Sequence, residues 1–459
     1  MRAIPTLKIS ISGVRGVVGD SLTPSLLTRF AQAFGTYAGS DTIVIGRDTR
    51  TSGEMVRQAV VAGLLSSGCR VVDLEICPVP TIQWMVRHLR SQGGVAITAS
   101  HNPAEWNALK FIGSDGLFLG GGQAGDLLDI YHQGEYTKVA SSEIRQVEVM
   151  PGAIDRHMKA ILEALGPLPA ASRKLRVVLD SCNGAASVMG PRLLAALGVE
   201  VIPIHNVPDG LFPRPAEPAP ENLGVLCEVV RQHQANIGFA QDMDADRLAV
   251  VADSGKPIGE EFTLVLSTRY VLSREKGPVV VNLSTTHTIE AVAKRYGCSV
   301  IRTKIGEANV AEVMKREKAV IGGGGNGGVI YPRINFARDS LVSMALILHL
   351  LAESQRPLSS LLSEFPAYRM IKEKLECPSD KIRGVLNLIR TQYENYPMDL
   401  RDGVKVEVDG GWFHVRGSNT EPILRLVAEG ESEETLDRIR GTVFQQVRQV
   451  LGVTDNDEP

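Results

Sequence analysis

The chain has 459 residues and a formal net charge of −3, with 44% hydrophobic, 22% charged and 5% aromatic residues. This length predicts about three or four domains, and the near-neutral charge and scarce aromatics argue against nucleic-acid binding through general basicity or base stacking. The sequence contains no apolar run of about 18 or more residues, so we expect no membrane span. No secretory signal is recognisable. The six cysteines lack the spacing of a zinc site or a disulfide framework, so we expect a cytoplasmic protein.

Three segments share a pattern that predicts a strand, a helix and a second strand. Each begins with a β-branched run, passes through a polar loop into an amphipathic stretch and ends in another apolar run. A glycine stands where each helix should end, at Gly68, Gly198 and Gly297. The segments span 42–74, 175–204 and 277–303. Such crossovers favour parallel pairing, so we expect three successive similar α/β domains, related by triplication or alike only as α/β proteins are.

The last part of the chain has a different pattern. Apolar and polar residues alternate over 404–417 and 423–430, which predicts antiparallel strands, and a helical stretch follows. The fold class we expect is α/β, with mixed sheets in the three similar domains and a smaller α+β domain at the C-terminal end. The predicted limits are 1–152, 153–254, 255–368 and 369–459.

The string TASHNP at Thr98–Pro103 follows an apolar run. It therefore lies at the carboxyl end of a strand, where open α/β sheets bind ligands. Ser100 beside His101 is a candidate nucleophile, because a hydroxyl must be activated or modified before it reacts. The alternative is an ordinary turn, in which serine, asparagine and proline are common.

An acidic loop, DMDADR, follows the apolar run ending at Ala240. Asp242, Asp244 and Asp246 repel one another unless they are neutralised, and their oxygens can converge on a hard divalent cation. Arg247 could pair with a phosphate. The loop does not match an EF-hand, and the alternative is a solvated acidic turn.

Four other loops carry weaker signals. The glycine run 322–328 lets backbone amides approach a ligand but lacks the lysine of a Walker loop, so a flexible surface loop is the alternative. The loop 416–422 could cradle a phosphate or could be a polar hairpin. The basic loops 12–16 and 46–50 are each more typical of structure than of function. Together, a nucleophile, a carboxylate site, a glycine loop and a phosphate cradle in successive domains indicate phosphoryl transfer at a shared site.

With these motifs in place, the chain resembles the α-D-phosphohexomutase superfamily, which contains phosphoglucomutases, phosphomannomutases and phosphoglucosamine mutases. The likeness covers essentially the whole chain. The motifs that carry it are TASHNP at Thr98–Pro103, DxDxDR at Asp242–Arg247, RGSNTEP at Arg416–Pro422 and SGVRG around Arg15. The resemblance implies four domains arranged around a central active-site cleft.

The resemblance also implies a role for each candidate residue. Ser100 would carry a phosphate and, with Asp242, Asp244 and Asp246, would hold one Mg²⁺ ion. Lys110 would be the general acid and base, and Arg15 and His101 would support the transfer electrostatically. The implied substrate contacts are those of Arg247 near the phosphoserine, of Glu307 and Asn326 with the sugar, and of Arg416, Ser418, Asn419 and Thr420 with the non-reacting phosphate.

The implied activity is an isomerase reaction that interconverts hexose 6-phosphate and hexose 1-phosphate through a 1,6-bisphosphate, with hexose 1,6-bisphosphate as activator. Phosphoglucosamine mutase is the preferred assignment, and a bifunctional phosphomannomutase/phosphoglucomutase is the alternative. The partners expected are a phosphosugar and, at most, a second copy of the chain, with neither nucleic acid nor membrane.

One loop departs from the family pattern. Many members carry a glutamate that binds sugar hydroxyls in the third-domain loop, at the place where this chain has Gly324. Asn326 is then the loop's remaining side chain that can form hydrogen bonds. This loss motivates a third hypothesis, a catalytically impaired homologue that binds phosphosugars.

Overall fold

The computed structural model describes residues 6–10, 13–169, 175–418 and 422–451. Their strands form four separate sheets, which follow one another along the chain. Three are mixed and the last is antiparallel throughout, so the predicted fold class is confirmed. None of the helices in these ranges is both long and apolar enough to cross a membrane. All six cysteines lie in these ranges and form no disulfide bond with one another.

The first sheet has seven strands in the order β1-β2-β6-β5-β3-β4-β7. Its strands are β1 (Lys8–Ser10), β2 (Gly13–Val17), β3 (Thr42–Arg47), β4 (Arg70–Ile76), β5 (Gly93–Ile97), β6 (Trp106–Gly113) and β7 (Val147–Val149). Its helices are α1 (Pro24–Tyr37), α2 (Gly53–Ser66), α3 (Val79–His88) and α4 (Gly121–Gln133). One core joins the sheet to α1, α2 and α4, and a second core joins its other face to α3.

The second sheet has four strands in the order β11-β10-β8-β9. Its strands are β8 (Arg176–Asp180), β9 (Glu200–Ile204), β10 (Ile237–Gln241) and β11 (Leu248–Ala252). Its helices are α5 (Ala153–Leu165), α6 (Met189–Ala196) and α7 (Gly224–Gln232).

The third sheet also has four strands, in the order β13-β12-β14-β15. Its strands are β12 (Val279–Asn282), β13 (Val300–Thr303), β14 (Ile321–Gly324) and β15 (Gly328–Ile330). Its helices are α8 (Glu261–Arg274), α9 (Thr288–Arg295), α10 (Glu307–Glu317), α11 (Ser340–Ser354) and α12 (Leu358–Leu362). Helix α11 is apolar and buried along almost its whole length, and it belongs to one continuous core that includes residues of the second and third sheets.

The fourth sheet has the order β16-β20-β19-β18-β17 and is covered by two helices. Its strands are β16 (Arg369–Glu376), β17 (Met398–Asp399), β18 (Val404–Val408), β19 (Gly411–Gly417) and β20 (Ile423–Gly430), and the helices are α13 (Ser379–Gln392) and α14 (Glu433–Leu451). This unit has a core of its own. It meets the third unit through polar groups: Ser284 Oγ lies 2.7 Å from His414 Nδ1, and the Ile305 N–H donates to Asp402 Oδ2 at 2.9 Å.

The same strand arrangement recurs in the first three sheets. In each sheet, a crossover joins two parallel strands, and a third strand pairs parallel to the first of them. A fourth strand then follows the third in a hairpin and pairs antiparallel with it. The three predicted crossovers are therefore present, and this recurrence favours triplication. Each hairpin loop carries one of the sequence motifs: 98–105 between β5 and β6, 242–247 between β10 and β11, and 325–327 between β14 and β15.

Candidate active site

Ser100 points from the first hairpin loop toward the second. Its backbone φ is +50°, in the left-handed region that few non-glycine residues adopt, and its N–H donates to Thr98 Oγ1 at 2.9 Å. Its hydroxyl lies 3.2 Å from Asp242 Oδ2 and 3.4 Å from His101 Nδ1. The loop is a turn, as the alternative interpretation held, but a turn that brings the serine hydroxyl to the acidic loop.

Arg50 stabilises the backbone of this turn. Its side chain is fully buried and is paired with Asp48 at 3.1 Å. Asp48 also accepts a hydrogen bond from Thr98 Oγ1 at 2.6 Å. The guanidinium donates to four backbone carbonyl oxygens of the turn, those of Ser100, Asn102, Pro103 and Trp106, at 2.5–2.9 Å. The structural interpretation of the loop 46–50 therefore fits Arg50, which fixes the backbone on which the nucleophile stands.

Replacing Arg50 with methionine is expected to lower the free energy of unfolding by about 3–5 kcal/mol. The substitution leaves the buried Asp48 carboxylate without its ion-pair partner, and it removes the hydrogen-bond donors to four backbone carbonyl oxygens. Urea unfolding at neutral pH measures the change. Arg50→Lys keeps the charge but not the planar fork, so a smaller loss is expected. A methionine variant as stable as the original protein would contradict this positioning role.

The three aspartates of the second loop are buried and lie together. One carboxylate oxygen from each of Asp242, Asp244 and Asp246 can be chosen so that all three lie within 4.8 Å of one another. Among the described residues, Asp244 Oδ1 and Asp246 Oδ1 are buried and have no hydrogen-bond partner. Buried carboxylate oxygens without donors are what a hard divalent cation binds, so the residues fit the metal that the resemblance implies.

The second oxygens of these carboxylates are held by neighbours. Lys110 Nζ donates to Asp244 Oδ2 at 2.7 Å, and Arg338 Nη2 donates to Asp246 Oδ2 at 2.5 Å. The Arg247 N–H donates to Asp242 Oδ1 at 3.2 Å. Such outer contacts fix the orientation of metal-binding carboxylates, and they leave the unpaired oxygens free to face an ion.

Burial and mutual repulsion act on the carboxylates of this loop. Burial and the neighbouring Asp244 and Asp246 raise the pKa of Asp242 well above its ordinary value. Burial also acts to raise the pKa of Asp244, but Lys110, Asp242 and Arg338 together outweigh it and leave that pKa below its ordinary value. A cation among the three carboxylates would relieve both the burial and the repulsion.

The predicted basic residues lie near Ser100 and the acidic loop. Arg15 Nη1 donates to Asn102 Oδ1 at 2.9 Å, and Arg15 pairs with Ala108 on β6, the strand that carries Lys110. Burial, and then the charge of Arg247, lower the pKa of His101 to about 3, so its imidazole is neutral near pH 7. The structure thus brings Arg15, His101, Lys110 and Arg247 together with the nucleophile and the carboxylates.

Glu307 lies behind the acidic loop. Its carboxylate accepts from Arg338 Nε at 2.8 Å and from Gln83 Nε2 at 3.4 Å. Its predicted contact with the sugar is not tested by these contacts and stays a prediction. Arg338, which joins Glu307 to Asp246, was missed by the sequence reasoning. The only available signal was a charged pair, Arg338 and Asp339, immediately before the apolar helix α11.

Two of the other predicted residues, Asn326 and Arg416, line a cavity of about 200 Å³ between the third and fourth units. Asn326 enters it from the glycine loop and Arg416 from the end of β19, with Lys372, Lys374 and Arg425 nearby. Ser418 lies two residues after Arg416 in the chain, whereas Asn419 and Thr420 lie outside the described residues. The glycine loop also touches the acidic loop, because the Leu248 N–H donates to the Gly327 carbonyl at 3.0 Å. The cavity therefore adjoins the loop that presents the carboxylates.

Comparisons with known proteins agree with this arrangement. Models of the phosphoglucomutase/phosphomannomutase family match the whole series of units: α/β/α domain I at 7–138, domain II at 155–255, domain III at 259–368 and the C-terminal domain at 375–446.

Individual proteins give the same result over nearly the full chain. A Methanopyrus kandleri protein named "Probable phosphoglucosamine mutase" is 39% identical, covering 96% of this chain and 97% of its own. A Thermococcus kodakarensis "Phosphoglucomutase/phosphomannomutase" is 36% identical, covering 92% and 94%. A crystal structure of a phosphoglucomutase/phosphomannomutase family protein from Burkholderia thailandensis superposes with a TM-score of 0.84 at 26% identity, covering 96% and 98%. The chain belongs to the phosphoglucomutase/phosphomannomutase family of the α-D-phosphohexomutase superfamily, as its motifs predicted.

Proposed function

We propose that the protein is a phosphohexomutase that interconverts hexose 6-phosphates and hexose 1-phosphates, with glucosamine phosphate as its physiological substrate. The observation that carries the proposal is the hydroxyl of Ser100, 3.2 Å from Asp242 in a buried carboxylate cluster that has unpaired oxygens. Several relatives with 32–39% identity are named probable phosphoglucosamine mutases, which favours the amino sugar. The name of the Thermococcus kodakarensis relative keeps glucose and mannose phosphates as the second candidate.

Ser100 carries the phosphoryl group between the two halves of the reaction. In the first half, the bond between Ser100 Oγ and phosphorus breaks and a bond from a sugar hydroxyl to phosphorus forms. The proton of that hydroxyl passes by way of Lys110 Nζ to Oγ as Oγ leaves phosphorus, and in the second half a proton returns by the same path from Oγ to the sugar oxygen that leaves. Arg15 and Arg247 spread the negative charge of the group in transfer.

The carboxylates of Asp242, Asp244 and Asp246 would hold one Mg²⁺ ion next to the phosphoserine. When bound, this ion supplies the positive charge that neutralises the transferring phosphoryl oxygens. Arg416, Ser418, Asn419 and Thr420 hold the phosphate that does not react. The bisphosphate must rotate end over end within the cleft before it returns its other phosphate to Ser100. The loop 416–422 must therefore bind either of the two phosphates. A hexose 1,6-bisphosphate supplied from outside phosphorylates Ser100 and activates the enzyme.

Further parts of the proposal concern the context of the enzyme. We place the domain limits at 1–152, 153–254, 255–368 and 369–459, which the four separate sheets support. We place the enzyme in the cytoplasm, as a monomer or homodimer that acts on a small phosphosugar.

Two measurements test the function. Intact mass after incubation with glucose 1,6-bisphosphate is expected to show one added phosphate. Coupled assays with Mg²⁺ are expected to show turnover of glucosamine 1-phosphate that exceeds turnover of mannose 1-phosphate and glucose 1-phosphate. Equal turnover of all three sugars would favour the bifunctional alternative. A protein that takes up no phosphate and turns over none of the three would be the impaired phosphosugar-binding homologue instead.

A further inference from the structure

The sugar-facing loop of this chain has no acidic side chain. Its sequence from Gly322 to Gly328 offers only Asn326 as a side chain that can form hydrogen bonds. A hexose presents several hydroxyl groups, and protein sites bind them with carboxylate and amide acceptors as well as donors. Without a carboxylate from this loop, a cavity that binds a hexose phosphate lacks a strong acceptor for the sugar hydroxyl groups, unless another element supplies one.

Helix α8 brings a carboxylate to the same place. Glu261, the first residue of α8, lines the cavity together with Asn326 and Arg416. Its carboxylate lies against the main chain of the glycine loop: a Cβ atom added to Gly325 would lie 1.9 Å from Glu261 Oε1. Any side chain at position 325 would thus overlap this carboxylate, and the glycine leaves the space that the carboxylate fills.

One oxygen of this carboxylate has a neighbouring lysine but no aligned hydrogen-bond donor among the described residues. Glu261 Oε2 accepts from the Thr286 N–H at 3.0 Å. Glu261 Oε1 lies 3.1 Å from Lys372 Nζ, but among the described residues no donor is aligned for a hydrogen bond to it. Lys372 itself donates to the Gly325 carbonyl at 2.5 Å and to Glu260 at 2.8 Å, so it links the fourth unit to the glycine loop. A buried carboxylate oxygen without an aligned donor is a ready acceptor for a ligand hydroxyl.

The other carboxylate of the cavity is engaged elsewhere. Glu373 also lines the cavity, and it forms an ion pair with Arg440 at 2.5 Å. Glu261 is therefore the better placed of the two carboxylates that line the cavity. We propose that Glu261 is the sugar-binding carboxylate of this enzyme, supplied by helix α8 in place of the missing loop glutamate, and that it accepts hydrogen bonds from hydroxyl groups of the hexose. This inference rests on the proposed function and names a specificity-determining residue within it.

The test compares Glu261→Gln with the matched control Glu312→Gln, which changes an exposed glutamate of α10 in the same unit that does not line the cavity. The glutamine keeps the size of the side chain and an acceptor for the Thr286 N–H, but loses the charge that strengthens a hydroxyl contact. The KM for glucosamine 1-phosphate is expected to rise about 10- to 100-fold in Glu261→Gln, with a smaller change in kcat. Inhibition by inorganic phosphate, which has no sugar hydroxyls, is expected to be unchanged. The control is expected to match the original protein in all three quantities.

A second pair of variants guards against a general effect on folding. Gly325→Ala is expected to raise the KM because its methyl group displaces the Glu261 carboxylate. In a Glu261→Ala background the space is vacant, and the same glycine substitution is expected to change the KM little. An equal effect of Gly325→Ala in both backgrounds would overturn the inference.

The outcomes separate this inference from the function on which it rests. Turnover by the original protein with an unchanged KM in Glu261→Gln would overturn the role of Glu261 and leave the mutase assignment standing. If the original protein had no turnover, the assignment would fail, and equilibrium binding of glucose 1-phosphate would then decide the role of Glu261. Weaker binding of that sugar phosphate in Glu261→Gln, with unchanged binding of inorganic phosphate, would support the role, and equal binding would overturn it.

Discussion

Replacing Ser100 with alanine is expected to lower kcat by at least about 10⁴-fold, because removing a covalent nucleophile removes the whole two-step route. The variant is also expected to take up no phosphate from glucose 1,6-bisphosphate. Both results follow from the position of Oγ, which lies 3.2 Å from Asp242 and beside the cluster of unpaired carboxylate oxygens. Steady-state assays and intact mass measure the two losses.

The fold of this variant is expected to survive. Ser100 already adopts a φ of +50°, and alanine has the same Cβ atom, so the substitution adds no backbone strain. The lost hydroxyl contact is worth about 1 kcal/mol. Ser25→Ala, an exposed serine on α1, is the matched control and is expected to keep both turnover and phosphate uptake. Full phosphate uptake by the Ser100→Ala variant would show that another residue carries the phosphoryl group.

Asp244→Asn is expected to lower kcat more than about 100-fold at saturating Mg²⁺. The change keeps the shape of the side chain but removes one of three charges from a cluster whose oxygens lie within 4.8 Å. It also removes the ion-pair partner of Lys110, which lies 2.7 Å from Asp244. Both the metal site and the proposed proton carrier are therefore weakened by one substitution.

Thermal unfolding gives a readout of this site that does not depend on turnover. Mg²⁺ at about 100 times its Kd stabilises a protein that binds it only when folded by about 2.7 kcal/mol. The original protein is expected to show such a rise in Tm and to lose it on addition of EDTA, whereas Asp244→Asn is expected to show little response. Asp437→Asn makes the same chemical change on the exposed face of α14 and should respond like the original protein. A normal Mg²⁺ response in Asp244→Asn would place the ion elsewhere.

The local sequence predicted those features that depend on neighbours in the chain. Strand, loop and helix alternate in 42–74, 175–204 and 277–303 because each segment carries its own hydrophobic pattern and its own terminal glycine. The glycines Gly68, Gly198 and Gly297 all have positive φ, as predicted for helix ends. The motif loops followed from the same logic, since each comes directly after an apolar strand.

Residues that act across the chain could not be read in this way. Arg338 pairs with Asp246, which is 92 residues away, and Glu261 lies against Gly325 because helix α8 packs on the β14–β15 hairpin within the third unit. Arg50 looked like an ordinary surface arginine, because its burial depends on the turn at Ser100 that folds over it. In each case the function of the residue comes from tertiary contact, which the spacing of residue types does not encode.

The interfaces between the units differ in polarity. The second and third units share one apolar core through α11, whereas the fourth has its own core and meets the third through groups such as Ser284, His414 and Lys372. Parting an apolar core exposes hydrocarbon to water, but polar groups that separate regain hydrogen bonds with water. We therefore expect the fourth unit to separate from the third at a lower cost in free energy than the third separates from the second. A substrate phosphate bound at Arg416, in the cavity that both units line, would add polar contacts across this interface and raise that cost.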